Sequence, residues 1–209
     1  RPYGPPQLSP PTHPIFPLRK LTAGLFLASL LGGPRFTADM PAAKVASSGG
    51  VSPHETISTT IGRGGPRVTI TYGRPFSKDP KSGAIRKVWG TLVPWDKAWR
   101  LGSDEATTII SEQPLDLGGL TLEGGKAYTL YLVPSENGVT KLAVSTRIGK
   151  WGIPVDETKD LGRVDMKKDT LDQQIDELTL ALQANPAGGG ILKVMWENTQ
   201  YSVAFAVKK

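Results

Sequence analysis

From Val51 onward the chain alternates apolar and polar residues with a period of two, in short runs broken by glycine, proline and asparagine. In VSPHETISTTI, Thr56, Ser58 and Thr60 alternate with Ile57, Thr59 and Ile61. RVTITY sets Val68, Ile70 and Tyr72 on one face and Arg67, Thr69 and Thr71 on the other. EATTIIS, KAYTLYLVP, VTKLAVST and GRVDMKK continue the pattern, and ILKVMWE and QYSVAFAV end it as two strands separated by Asn198-Thr199. Turn signals stand at Gly118-Gly119, Gly124-Gly125, Asn137-Gly138 and Gly188-Gly189-Gly190, with Asn137-Gly138 the best two-residue hairpin. TLDQQIDELTLALQANP fits both periods, since Leu171, Ile175, Leu178 and Leu182 recur at helical spacing while Leu178, Leu180 and Leu182 alternate. Among so many strands it is read as a strand from about Asp176 to Gln183. The pattern predicts an all-β fold, an antiparallel β-sandwich or open barrel of about 8–10 strands. One short helical turn is expected in PWDKAWR. Pro94 suits the first helical position, Asp96 the first turn, Arg100 the last and Gly102 the stop, which would set Trp95 and Trp99 on one face.

The first fifty residues read differently. They hold nine of the 18 prolines, five basic residues and one acidic residue, and form an extended Pro-rich basic tail (1–50) ahead of a β-sandwich domain (51–209). Arg19-Lys20 precede an uncharged run, Leu21–Gly33, that includes Leu25, Phe26 and Leu27. A basic flank, a short apolar run and small residues after it match a secretory signal. As a helix the run would be about 20 Å long, short of the ~30 Å hydrocarbon core. Arg19, Lys20, Leu25, Phe26 and Leu27 are therefore the candidates for membrane or partner attachment. The competing reading is a buried amphipathic helix.

Composition narrows the chemistry. The net charge of +6 resides mostly in the tail, and residues 51–209 carry 20 basic against 18 acidic groups. Nucleic-acid binding would need the excess on the folded part, so no nucleic-acid partner is expected. There is no cysteine, and His13 and His54 are the two histidines. No thiolate or multi-histidine metal centre can form, and neither a metal nor another cofactor is expected.

Ile70–Thr108 gathers Trp89, Trp95 and Trp99 with Arg74, Arg86 and Arg100. The indoles could stack on sugar rings, but indoles of this size more commonly fill or seal a core. The arginines could take a carboxylate or phosphate, or pair with Asp96, Asp104 and Glu105. Asp104-Glu105 and His54-Glu55 are adjacent pairs, and neighbours on a strand point to opposite faces, so neither pair can flank one bond. Pairs distant in sequence, such as His54 with Asp156 or Glu105 with Glu197, stay open. GRGGPR at Gly62–Arg67 has the glycines of a phosphate cradle without its Lys-Ser/Thr, and reads as a hairpin turn.

An ordered set of pieces then stands out: SPHETIS at 52–58, ITYGRP at 70–75, VWGTLVPWDKAWRLG at 88–102, EATT at 105–108, YTLYLVP at 128–134, KWG at 150–152 and MWENTQYSV at 195–203. Together they resemble the bacterial domain of unknown function 2911 family over about Ser52–Val207. The resemblance implies an exported all-β single domain, often lipid-anchored in its relatives, and brings no catalytic residue. This chain has no cysteine for such an anchor, and Ser103-Asp104 where members show Ala-Asn.

Two functions follow as expectations. The first is an exported, periplasmic, non-enzymatic protein acting by protein contact, an accessory subunit docked on a membrane-bound assembly through its tail. The alternative is a carbohydrate- or small-ligand-binding module, open to hydrolysis, drawing on Arg74, Trp95, Trp99, Arg100 and Glu105.

Overall fold

The alternating runs become ten strands in a computed structural model, which describes residues 52–149, 151–186 and 188–208. The strands are β1 (His54–Thr60), β2 (Arg67–Gly73), β3 (Thr107–Ser111), β4 (Leu115–Leu117), β5 (Leu120–Leu122), β6 (Ala127–Val133), β7 (Lys141–Ser145), β8 (Asp160–Asp165), β9 (Lys167–Ala184) and β10 (Gly190–Val207). All pairings are antiparallel, in a six-stranded sheet of order β1-β2-β3-β6-β7-β8 and a four-stranded sheet of order β5-β4-β10-β9. The two sheets enclose a core that includes Ile70, Leu130, Val144, Leu117, Leu180 and Trp196, each essentially without solvent contact. Burying such side chains contributes about 1.5–3 kcal/mol each, which is why the apolar face of every run turns inward. The expected all-β sandwich architecture is the observed one.

Four local expectations are corrected. The PWDKAWR segment is not helical. Asp96 has φ 57°, its N–H donates to Pro134 O (2.7 Å), and Trp99 exchanges two backbone bonds with Leu132 (2.7 and 2.8 Å). Those donors are spent on the end of β6 and cannot close a helical turn. Among the described residues the helical element is a 3-10 turn, Glu157–Lys159. Asn137-Gly138 is not a two-residue hairpin, because Val133 pairs with Lys141 and the loop spans the residues between, held by Ser135 and Thr140. The two-residue turn is Gly118-Gly119, between the Leu117–Leu120 pair, with φ 59° and 94°. Both central residues are left-handed there, the conformation that glycine takes without a Cβ penalty.

The other two corrections concern length. β9 begins at Lys167 rather than near Asp176, and β10 runs without a break through Asn198-Thr199. Its register against β9 shifts between Met195, Glu197 and Thr199, and Glu197 has φ 50°. Ahead of this bulge Leu192, Val194 and Trp196 face the core, and after it Tyr201, Val203 and Phe205 do. The inward positions change from even to odd, the parity slip that extra residues in one strand produce.

Two features position the site. The β2–β3 connection covers residues 74–106 and buries Val88, Trp89, Val93 and Leu101 in the core. The β7–β8 connection passes over the outer face of the larger sheet, anchored by Thr146 N–H to Lys159 O (2.9 Å) and Thr129 Oγ1 to Arg147 O (2.6 Å).

Candidate functional site on the outer face of the six-stranded sheet

Residues paired across strands share a face. Thr56 pairs with Thr71, Thr71 with Thr108, Thr108 with Thr129 and Thr129 with Ser145. Five hydroxyl side chains thus cross the outer face in one row, about 4.8 Å apart. Thr56 is exposed, Thr71 and Thr108 are half-buried, and Thr129 and Ser145 lie under the β7–β8 strap. Thr56 and Thr71 hydrogen-bond each other through their hydroxyls (2.9 Å).

At the end of β1, on the same face, His54 Nε2 lies 2.7 Å from Glu105 Oε2. Their side chains are 26% and 17% exposed, so water screens the pair only in part. Glu105 comes from the loop before β3. There Arg100 Nη1 donates to Asp104 O (2.6 Å) and Trp151 O (3.1 Å), and the guanidinium carbon sits 5.5 Å from the Trp151 ring centroid. Burial pushes the Arg100 guanidinium below its usual value, while Asp104 and Glu105 act in the opposite direction. Leu101 and Asp104 are left-handed (φ 55° and 63°), and the buried Asp104 Oδ2 has no hydrogen-bond partner. The strap reaches Arg100 through Gly152, φ 90°, where a Cβ would stand 3.0 Å from Arg100 Cβ and 3.2 Å from Ala106 Cα. Glycine is required by both conformation and space. Below the strap a small cleft of about 20 Å³, room for one water, is lined by Thr129, Tyr131, Ser145, Arg147 and Asp156 among others. Asp156, accepting from Thr158, is held below the usual carboxylate range.

Of the candidates from sequence, the structure brings Arg100 and Glu105 together and sets the others elsewhere. Arg74 bridges the sheets, with Nε to Leu178 O (3.1 Å) and Nη2 to Thr179 Oγ1 (3.2 Å) and Glu177 (3.1 Å). Trp95 and Trp99 are half-buried against Trp89, which also meets Trp196 and Tyr201, so the five rings form one aromatic cluster at the core. Arg19, Lys20, Leu25, Phe26 and Leu27 lie outside the described residues. His54 and Glu55 do point to opposite faces. Glu55 accepts from Tyr72 OH (2.6 Å), while His54 finds Glu105 rather than Asp156. Trp151, 44% exposed, is the site residue that sequence reasoning did not single out, although its KWG piece was among the signature runs. No cluster of three or more His, Cys, Asp or Glu able to hold a metal occurs among the described residues. Nor is any helix there long and apolar enough to cross a membrane.

SPHETIS, EATT and KWG, far apart in sequence, therefore meet at one place. Fold and site define an antiparallel β-sandwich with a row of hydroxyls and a charged cluster on the outer face of its larger sheet. The chain belongs to the family described as protein of unknown function (DUF2911), which matches residues 52–205. No curated protein and no solved structure matches it.

Proposed function

We infer that the domain is an exported binding module for carbohydrate, with the outer-face surface around Trp151, Arg100 and the hydroxyl row as its site. The observation that carries this reading is Trp151, exposed beside Arg100 and near the His54–Glu105 pair, on the face that carries the hydroxyl row. An indole offers a flat apolar surface to the C–H face of a sugar ring. Thr56, Thr71 and Thr108 can each accept from ligand hydroxyls, one of the Thr56–Thr71 pair keeps a proton to donate, and Arg100, His54 and Glu105 supply charged partners that fix orientation. The periplasm is the proposed place of action, on the strength of the basic-apolar segment at Arg19–Gly33.

Binding to a glycan array followed by calorimetry tests this. Trp151→Ala is expected to weaken the best glycan at least tenfold without altering the folded spectrum. Unchanged affinity would remove this surface from consideration. A second reading, docking as an accessory subunit of a membrane-bound assembly, is favoured by Ile148, Ile153 and Leu161. These are also exposed, in or next to the strap that carries Trp151. It predicts that Ile148→Ser and Ile153→Ser release the protein from a native membrane complex while glycan binding persists.

A further inference from the structure

Each sheet ends in two edge strands, β1 and β8 in the larger sheet, β5 and β9 in the smaller. An open edge presents unpaired N–H and C=O groups, and proteins blunt it with charge, proline, shortness or cover. β5 has three residues, and β8 carries Asp160, Arg163 and Asp165. β9 carries Lys167, Lys168, Asp172 and Asp176 among others. The β2–β3 connection also bonds to the β9 edge, through Ser77 N to Asp176 O (2.7 Å) and Leu178 N to Pro75 O (2.9 Å). β1 is different. From Thr56 to Ile61 it has no charge, no proline and no glycine, and every residue but Ser58 is β-branched. Its ladder with β2 runs from His54 to Thr60 without a register shift.

The pairing fixes which groups point outward. Ile61 N donates to Pro66 O (2.9 Å) and Arg74 N to Pro53 O (2.7 Å), so the odd-numbered residues of β1 spend their backbone groups on β2. The even-numbered ones, His54, Thr56, Ser58 and Thr60, aim N–H and C=O away from the sheet, and all four residues are exposed. Among the described residues nothing hydrogen-bonds to these four backbone positions.

This edge is complementary to itself. With Ile57 on a two-fold axis, an antiparallel second copy sets Thr56 against Ser58 and His54 against Thr60, each pair exchanging two backbone bonds. Glu55 then faces Thr59 rather than another Glu55, so no like charges oppose each other, and the two half-buried Ile57 side chains meet across the axis. We propose that β1 pairs with β1 of a second copy of this chain, antiparallel and centred on Ile57, continuing the six-stranded sheet through a two-fold dimer. The contact uses backbone groups at the edge and stands independently of the carbohydrate reading.

A chain without cysteine makes the register testable. The two Cα atoms at position 57 would be about 4.5 Å apart, within the span of a disulfide, and those at position 59 about 14 Å apart. In the full chain, Ile57→Cys is expected to form a covalent dimer under mild oxidation, at least tenfold more than Thr59→Cys. Light scattering on the unsubstituted chain should reach twice the 22.4 kDa of one copy as concentration rises. Ser58→Pro removes an outward N–H and no bond to β2, and should weaken association at least tenfold. A monomer at every concentration, equal crosslinking at the two positions, or a dimer undiminished by Ser58→Pro would each overturn the proposal. The mass and the cysteine pair decide the matter even where Ser58→Pro does not fold.

Discussion

At the scale of single residues, the outer-face site depends on a residue with no side chain. Gly152 lets the strap approach Arg100 and Ala106, in a left-handed conformation (φ 90°). Gly152→Ala should therefore cost about 1–3 kcal/mol. It should also lower glycan affinity, because Arg100 would lose its bond to Trp151 O; denaturant titration and calorimetry on the same variant check both. Trp196 is fully buried, and its Nε1 donates to Asp176 O (3.0 Å). Trp196→Ala should cost about 3–5 kcal/mol by urea unfolding. Trp95 is only half-buried, with one face toward Lys168 Nζ (5.8 Å), so its truncation should cost clearly less. An equal loss at both positions would contradict the graded burial.

At the scale of elements, the β10 bulge decides which side chains fill the core. Deleting Asn198 would set Trp196 and Tyr201 four positions apart, so a regular strand would keep Tyr201, Val203 and Phe205 inward without the bulge. The deletion should therefore remain soluble and folded by circular dichroism. The same bulge explains what could be read from the chain and what could not. Period-two alternation is local, and it gave β1, β2, β6 and β7 directly. A parity slip in mid-strand looks in sequence like two strands with a turn, which is how Asn198-Thr199 reads. The cues in PWDKAWR suit a helix start and a tight turn alike, and the choice was made by acceptors on β6, more than thirty residues away. The site was half legible for the same reason. Arg100 adjoins Trp99 and Glu105 adjoins Asp104, inside the dense signature. His54 and Trp151 reach them only through strand order and the strap.

At the scale of the molecule, two interior tyrosines tie the sheets to their edges. Burial and the Glu55 bond raise the Tyr72 phenol above its ordinary 10.0, and burial and Asp160 do the same for Tyr131. Each folded-state value exceeds the unfolded one, so their contribution is complete below about pH 10 and is lost as pH rises through the folded values. Urea stability should fall with pH from about 10 upward. Tyr72→Phe should start lower, having lost its bonds to Glu55 and Leu180 N, and show a flatter slope. An unchanged slope would mean that the phenol titrates normally. The placement of β10 has a consequence for how the protein is made. It follows every other strand of the sandwich along the chain, yet it lies inside its sheet, with β4 on one side and β9 on the other. Residues 205–207 and Lys208 close the pairing with β4 and the loop beside it. Until those residues leave the ribosome, β4 and β9 both present open edges that invite pairing with other chains. Folding of the sandwich therefore waits for residues 205–208, and a chain cut just before them would aggregate rather than form a slightly shortened domain.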